Sequence, residues 1–196
     1  MLATTAPFAP YCMPSPAEGI VTERAIVIAA QRGSDDAFSA LVRIHQRRAY
    51  AIVRAIVLSH EDAEDAVQEG FLHAHRALDR FRPDQPFGAW LYRIMANAAL
   101  DLVRRRKVRV AEELPETIAL PFRDPAESGE LRQRLQEALT HLTARQRAVI
   151  VMHDVEGYTH GEIGRTLGIP EGTARSDLHH ARAALRKLLQ NLRSSP

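Results

Sequence analysis

The sequence predicts an all-α protein of two small helical domains joined by a flexible acidic linker. Apolar residues recur with helical spacing along most of the 196 residues, and no stretch alternates between polar and apolar residues as a half-buried strand does. Around residues 108–130 this periodicity fades and three prolines appear. Because 45% of the residues are hydrophobic, the chain is able to form a small core in each domain.

Composition divides the chain into four segments. Residues 1–21 hold four prolines and no helical pattern, which predicts a disordered N-terminal tail. Residues 22–107 are predicted to form the first helical domain and residues 131–196 the second. Residues 108–130 form the linker between them.

Charge and cysteine content restrict the class of protein. Residues 93–109 carry six basic residues and one acid, whereas residues 110–130 carry six acids and one base. This alternation predicts separate faces for separate partners. The single cysteine, Cys12, excludes an intramolecular disulfide and indicates a reducing, cytoplasmic compartment. No apolar run reaches the roughly 18–20 residues of a membrane span, and the N-terminus does not read as a signal peptide.

Four helices are predicted in the first domain. The first covers about residues 22–32, and the second begins after Ser34 and ends near residue 58. The third begins after Ser59, and the fourth covers about residues 89–107. Between the third and the fourth, the segment RPDQPFG has two prolines and a glycine, which cannot continue a helix.

The end of the second domain has the elements of a helix-turn-helix. Thr159 and Glu162 are spaced as a capping box, Gly168 suits a left-handed residue that ends a helix, and Pro170 suits the start of the next. The last helix has an apolar stripe of Ala174, Leu178, Ala181 and Leu185. Its opposite face is rich in arginine, which contacts guanine edges or phosphates when a helix lies in the DNA major groove.

The third and fourth helices of the first domain carry opposite charges. The stretch from Glu61 to Glu69 has five acids and no base, so this helix is expected to meet a protein rather than the DNA backbone. The fourth helix ends in VRRRK and is expected to meet nucleic acid.

Taken together, these segments resemble the extracytoplasmic-function sigma factors, the smallest class of the bacterial sigma-70 family. The resemblance lies in DAEDAVQEGFLHAHRAL, FRPDQPFGAWLYRIMANAALDLVRRRK and LTARQRAVIVMHDVEGYTHGEIGRTLGIPEGTARSDLHHARAALR, which span nearly all of residues 35–190 in the family's order. It implies an RNA polymerase sigma factor that binds core polymerase, recognises the −35 and −10 promoter elements and directs transcription initiation. It also implies control by an anti-sigma factor.

The resemblance also implies roles for individual residues. The acidic helix would dock on the coiled coil of the polymerase β′ subunit, through Asp65, Gln68, Glu69, Leu72 and His73. The loop RFRPDQPFGAW would capture a flipped-out base, and the −10 strand would contact Phe87, Asn97, Asp101, Arg104, Arg105 and Arg106. The second domain would touch the β flap and bind the −35 duplex through Thr173, Arg175, Ser176, His179, Arg182 and Arg186.

Some residues keep two interpretations. Trp90 shares a stripe with Ile94, which favours a core position over base stacking, whereas Phe87 fits either role. Asp177 and His180 depart from the family pattern, which puts the −35 sequence preference in doubt. Asp177 would accept a hydrogen bond from a cytosine N4 amine or pair with a neighbouring arginine. The acidic linker would reach the polymerase cleft as a nucleic-acid mimic or act as a solvated tether.

Two other classes of function remain as alternatives. A helix-turn-helix regulator that acts without polymerase would account for residues 131–190 but would leave the acidic helix without a role. An enzyme is not indicated, because the nine histidines are scattered and no P-loop, HExxH or Rossmann glycine pattern is present. We expect no catalytic residue, cofactor or metal site, and we expect His45 to be a buried, hydrogen-bonded side chain.

Overall fold

The computed structural model describes the backbone of residues 16–112 and 130–191, and the side chains of residues 23–108 and 135–187. Within these ranges the chain forms eight α-helices and no strand, which confirms the all-α prediction. Residues 1–15 of the predicted tail and residues 113–129, most of the predicted linker, lie outside the described residues.

The helices group into two domains. The first domain comprises α1 (Pro16–Gln31), α2 (Asp35–Val57), α3 (His60–Ala77) and α4 (Phe87–Glu112). The second domain comprises α5 (Glu130–Thr140), α6 (Ala144–Ile150), α7 (His160–Leu167) and α8 (Glu171–Asn191). A 3₁₀ turn at Leu78–Arg80 follows α3, and a π-helical turn at Val151–Val155 continues α6.

Side-chain caps start several helices where the sequence predicts them. The Ser34 hydroxyl accepts a hydrogen bond from the Ala37 amide at 3.3 Å, and the Ser59 hydroxyl accepts one from the Asp62 amide at 3.3 Å. Thr143 starts α6 through a full capping box with Gln146. These bonds satisfy amide groups that have no partner within the helix.

Two helix ends differ from the predicted positions. Helix α1 starts at Pro16, six residues before the predicted start, because proline is well tolerated in the first turn of a helix. Helix α4 continues to Glu112, past residue 107, since neither glycine nor proline occurs in that stretch before Pro115. The described helices therefore extend into the segments predicted as tail and linker.

The core of the first domain lies between α2, α3 and α4. Its largest fully buried side chains include Leu41, Ile56, Leu91 and Met95. Helices α3 and α4 approach closely at Gly70, where an added Cβ would lie 2.5 Å from the Met95 sulfur. The buried residues of α2 and α3 therefore face this core.

The two domains pack against each other, with α6 on α2 and α4 and with α7 on α4. The Arg147 guanidinium is buried at this junction and donates to the Ile56 carbonyl at 2.7 Å and to the Leu142 carbonyl at 2.6 Å. Burial lowers the pKa of Arg147 to about 10. Arg48 of α2 also pairs with Glu156 at 3.0 Å.

Candidate functional site

The helix-turn-helix forms as the sequence predicts. The Thr159 hydroxyl accepts from the Glu162 amide at 3.3 Å, and the Glu162 carboxylate accepts from the Thr159 amide at 2.9 Å. That backbone hydrogen bond holds the pKa of Glu162 below its usual value. Gly168 ends α7 with a φ of +65°, so the left-handed position is occupied by the residue expected there.

Helix α8 buries its apolar stripe and exposes the opposite face. Ala174, Leu178 and Ala181 are buried against the rest of the second domain. The exposed face carries most of the residues predicted to contact the −35 duplex, namely Arg175, Ser176, His179, Arg182 and Arg186, while Thr173 is half-buried. An open groove of about 350 Å³ runs between this face and His160, the first residue of α7.

Arg182 on this face forms an ion pair with Asp154, a residue that was not predicted from the sequence to belong to this surface. Asp154, in the π-helical turn, accepts from Arg182 Nε at 3.1 Å and lies 2.9 Å from His153 Nδ1. The Arg182 guanidinium lowers the pKa of the Asp154 carboxyl. Arg175 pairs within the helix with Glu171 at 2.8 Å. The guanidinium groups of Arg175 and Arg182 are therefore held in place by carboxylates.

Asp177 lies away from this exposed face. Its side chain is buried, and its carboxylate accepts from Arg145 Nε at 2.6 Å, which joins α8 to α6. Of the two interpretations of Asp177, the pairing with a neighbouring arginine is therefore the one found, and the residue is not placed to read a base.

Helix α3 presents an acidic face that includes one exposed apolar side chain. Asp65, Gln68 and His73 are exposed, Glu69 is half-buried, and the Leu72 side chain is 51% exposed despite being apolar. Beside this face, a groove of about 600 Å³ runs between α2 and α3. It is lined by Val42, Gln46, Arg47, Tyr50, Glu64, Val67, Gln68 and Phe71. The groove adds apolar area beside the charged residues of α3.

Helix α4 presents a polar face toward its C-terminal end. Asn97, Asp101 and Arg104 are exposed and recur every three or four residues, so they share one side of the helix. Arg104 donates to the Asp101 carboxylate at 2.7 Å. The arrangement places an amide and a guanidinium on one side of the helix, about two turns apart, and both groups hydrogen-bond to bases and phosphates.

The predicted polymerase face and the predicted −10 face meet at ion pairs between α3 and α4. Arg105 donates to Glu69 at 2.6 and 3.2 Å, and Arg106 pairs with Asp62. The hydrogen bond from Arg105 lowers the pKa of Glu69. Sequence order gives no signal of these pairs, because they arise from the packing of the two helices.

Phe87 is not placed as a free stacking surface. The side chain is 2% exposed and packs edge-on against Phe81, with ring centroids 5.5 Å apart, and beside Trp90. The loop that precedes it folds this aromatic side chain inward, so almost none of its surface is exposed to solvent. Trp90 is half-buried in the same cluster, in agreement with the core interpretation.

Comparison with known proteins agrees with this architecture. Residues 41–109 match the family model of Sigma-70 region 2, and residues 132–185 match that of Sigma-70 region 4. The chain is 38% identical over 157 residues to the ECF RNA polymerase sigma factor SigM of Mycobacterium tuberculosis, covering 80% of this chain and 79% of SigM. The chain belongs to the extracytoplasmic-function sigma factors of the sigma-70 family. It is therefore a DNA-binding transcription initiation factor that acts with RNA polymerase.

Further relatives span most of this sigma factor. SigW of Bacillus subtilis is 31% identical over 176 residues, covering 83% of this chain and 94% of SigW. The sigma factor RpoE of Bartonella quintana, solved in complex with the anti-sigma factor NepR, superposes with a TM-score of 0.62 at 25% identity, covering 78% of this chain and 96% of that one. CnrH in complex with the cytosolic domain of CnrY superposes with a TM-score of 0.59 at 29% identity. The match covers 86% of this chain and 97% of the CnrH chain.

The sequence reading missed several side chains that shape these surfaces. Asp154 and His160 border the exposed face of α8, and Asp62 holds Arg106. Arg147 was assigned no role, yet it ties the two domains of the sigma factor together. Only Asp62 had a sequence signal, since it belongs to the acidic run at the start of α3.

Neither a membrane span nor a metal site is found in the described parts of the chain. No helix in residues 16–112 or 130–191 is long and apolar enough to cross a bilayer. Among the same residues, no three histidine, cysteine, aspartate or glutamate side chains are grouped to hold a metal ion.

Proposed function

We propose that this sigma factor divides its work among three surfaces. The face of α3 binds core RNA polymerase, the polar face of α4 and the preceding loop hold the melted −10 strand, and the exposed face of α8 reads the −35 duplex. The observation that carries the proposal is the separation of charge. Acids are concentrated on α3, and arginines are concentrated on α4 and α8.

The polymerase contact is proposed for Asp65, Gln68, Glu69, Leu72 and His73. Leu72 supplies exposed apolar area, and the carboxylates of Asp65 and Glu69 favour a basic partner surface. Asp65 makes no ion pair within the described residues, so its charge is available to a partner. The family resemblance supports the β′ coiled coil as this partner and the β flap as a further contact of the second domain.

The −35 contact is proposed for Thr173, Arg175, Ser176, His179, Arg182 and Arg186. Arg175 and His179 are one helical turn apart on the exposed face, so a groove-bound helix presents both to adjacent bases. Arg186 lies two turns beyond His179 and would contact a phosphate, which positions the helix without reading sequence.

The −10 contact is proposed for Asn97, Asp101, Arg104, Arg105 and Arg106. An amide such as Asn97 reads the Watson–Crick edge of an unstacked base, and the arginines neutralise strand phosphates. Arg105 and Arg106 must exchange their carboxylate partners Glu69 and Asp62 for phosphate to do so. Phe87 is proposed to act from within the protein, by shaping the loop that precedes α4.

Regulation by an anti-sigma factor is part of the same proposal. It is supported by the likeness to RpoE of Bartonella quintana, which was solved with the anti-sigma factor NepR. The sigma factor itself would catalyse no reaction and would work in the cytoplasm, where core polymerase makes the RNA. Two weak DNA contacts on one polymerase complex reinforce each other through a high effective concentration.

The test is a run-off transcription assay combined with a pull-down of core polymerase. The template is a DNA fragment from upstream of the sigma factor's own gene, and a library of random upstream sequences serves as a second template. We expect retention of core polymerase and a defined start site that depends on the sigma factor. Folded protein that binds neither core polymerase nor supports transcription from either template would contradict the proposal.

A further inference from the structure

A cluster of four side chains joins the π-helical turn to the exposed face of α8. The Asp154 carboxylate accepts from Arg182 Nε at 3.1 Å and pairs through its other oxygen with Arg182 Nη2. The same carboxylate lies 2.9 Å from His153 Nδ1, and the rings of His153 and His160 pack together with centroids 4.8 Å apart. Asp154 therefore holds Arg182 through two N–H groups, as a bidentate arginine–carboxylate pair.

This pair leaves one end of the Arg182 guanidinium free. Of the five N–H groups of an arginine, Asp154 engages one on Nε and one on Nη2. Nη1 donates to no group among the described residues, so both of its N–H groups remain available. The guanidinium is planar, so holding two of its nitrogens also fixes where Nη1 points. An arginine that is ordered before binding loses less side-chain entropy when a ligand arrives.

Arg182 also lines the open groove of about 350 Å³ between α8 and the first residue of α7. The polar side chains of this groove are all guanidinium or imidazole groups, namely His160, Arg175, His179, Arg182 and Arg186. No carboxylate is among the described residues that line it. A groove with this lining attracts an anion.

The position of Arg182 along α8 favours a phosphate over a base. Arg182 lies eleven residues after Glu171, the first residue of α8, which is about three turns into the helix. In a helix-turn-helix, residues near the start of the recognition helix contact base edges, and the helix before it crosses the DNA backbone. Arg182 shares its groove with His160 of that preceding helix. A backbone phosphate is therefore the group that Arg182 is placed to bind.

Two effects of Asp154 on such a contact oppose each other. Its negative charge repels a nearby phosphate, whereas its hold on Arg182 orders the donor. The repulsion is reduced because Arg182 neutralises the carboxylate. It is also screened by solvent and salt, since the side chains of Arg182 and Asp154 are 46% and 33% exposed. The ordering effect is therefore expected to be the larger.

We propose that Asp154 is a positioning residue for the −35 contact, which holds Arg182 so that Nη1 donates to one backbone phosphate of the −35 duplex. The inference rests on the proposed binding of the −35 element by α8 and adds a residue outside the recognition helix. Its effect has the opposite sign to that of charge alone, because removal of a carboxylate beside DNA would otherwise tighten binding.

The test measures how tightly holoenzyme binds a promoter fragment, by filter retention at several salt concentrations. The fragment is a promoter identified by run-off transcription, and the proteins are wild type and Asp154→Asn. Asparagine removes the charge and keeps the size of the side chain. We expect binding to weaken about three- to tenfold, because Arg182 loses its fixed orientation. The loss should be the same for fragments with different bases in the −35 element, since a phosphate contact carries no sequence information.

A double-mutant comparison shows whether Asp154 acts through Arg182. Arg182→Ala should weaken binding and make the fall of log affinity with log salt less steep by about 0.9, the amount expected for one phosphate. When Arg182→Ala is already present, Asp154→Asn should cause no further loss. Glu137→Gln removes the same charge from an exposed position of α5 and should leave binding unchanged. If asparagine lowers the thermal unfolding midpoint, Asp154→Ser takes its place in the same comparison.

The outcomes separate this inference from the proposed function. Unchanged or tighter binding by Asp154→Asn would overturn the positioning role while leaving the sigma role intact. A loss that is equally large in the presence of Arg182→Ala would give Asp154 a role independent of Arg182 and would also overturn it. A loss that depends on one base of the −35 element would overturn the phosphate contact. Wild-type holoenzyme that shows no sigma-dependent binding or transcription would contradict the proposed function itself.

Discussion

The two domains expose functional surfaces of different kinds. In the second domain, Arg175 pairs within α8 and Arg182 pairs with Asp154 of the π-helical turn, so these ion pairs do not join two predicted binding surfaces. In the first domain, Arg105 and Arg106 of α4 pair with Glu69 and Asp62 of α3, so the predicted DNA surface and the predicted polymerase surface share ion pairs. A substitution on α8 should therefore affect one function, whereas a substitution at the α3–α4 boundary should affect two.

The largest expected effect follows from reversing the charge of the α3 face. Replacing Asp65 and Glu69 by lysine should weaken binding to core polymerase roughly 30-fold or more, because truncating buried interfacial charge pairs alone costs about 2–5 kcal/mol. The measurement is co-purification with core polymerase, followed by titration of the complex. The exposed residues Asp79 and Glu137 provide a control, since replacing both by lysine adds the same charge elsewhere.

The two single substitutions test whether the α3–α4 ion pairs link the polymerase surface to the DNA surface. Asp65→Lys alone should weaken polymerase binding without disturbing α4, because Asp65 has no ion pair among the described residues. Glu69→Lys alone should weaken polymerase binding and also displace Arg105. If the variant with both Asp65→Lys and Glu69→Lys still retained core polymerase fully, α3 would not be the polymerase-binding surface.

An intermediate effect is expected on the second domain. Replacing Arg175 and His179 by alanine should reduce promoter-specific transcription about 10- to 100-fold, because each base contact contributes about 1–3 kcal/mol of discrimination. Binding to core polymerase should stay at the wild-type level, as both side chains lie on the exposed face of α8. Run-off transcription and the pull-down measure the two quantities on one preparation. If the pull-down fails together with transcription, the division between the two domains is wrong.

The smallest effect is expected where the domains meet. Arg147→Met removes the guanidinium that donates to the carbonyls of Ile56, Leu139 and Leu142, which should cost about 1–3 kcal/mol of the free energy of unfolding. Urea denaturation followed by the fluorescence of Trp90, the single tryptophan, measures the change. Arg165→Met, at an exposed position of α7, should stay within about 0.5 kcal/mol of wild type. If Arg147→Met and Arg165→Met had the same urea midpoint, Arg147 would not stabilise the contact between the two domains.

Local sequence signals account for what could be predicted. A helix cap depends only on residues within about one turn, so the local sequence is enough to predict it. The structure confirms the predicted caps and ends at Ser34, Ser59, Thr159 and Gly168. The apolar stripes of α2 and α8 likewise depend only on helical periodicity. For this reason the helix-turn-helix could be predicted more completely than any other part of the molecule.

Contacts between distant residues account for what could not be predicted. Arg147 and Ile56 are 91 residues apart, and Arg105 and Glu69 are 36 apart, so no local pattern marks either pair. Phe87 was left between two roles because burial of a loop aromatic depends on which side chains surround it. The π-helical turn at Val151–Val155 continues an ordinary helical pattern, and its extra residue leaves no signature in composition.

The central claim is that the two domains read two different promoter elements, and tethered cleavage tests it most directly. Cys12 is the single cysteine, so a Cys12→Ser background allows an iron chelate to be attached at Ser176→Cys on α8 or at Asn97→Cys on α4. In the promoter-bound holoenzyme, the chelate on α8 should cut the duplex around the −35 element. The chelate on α4 should cut the strand around the −10 element. Cleavage at one common position from both sites, or cleavage in the reverse order, would contradict the account.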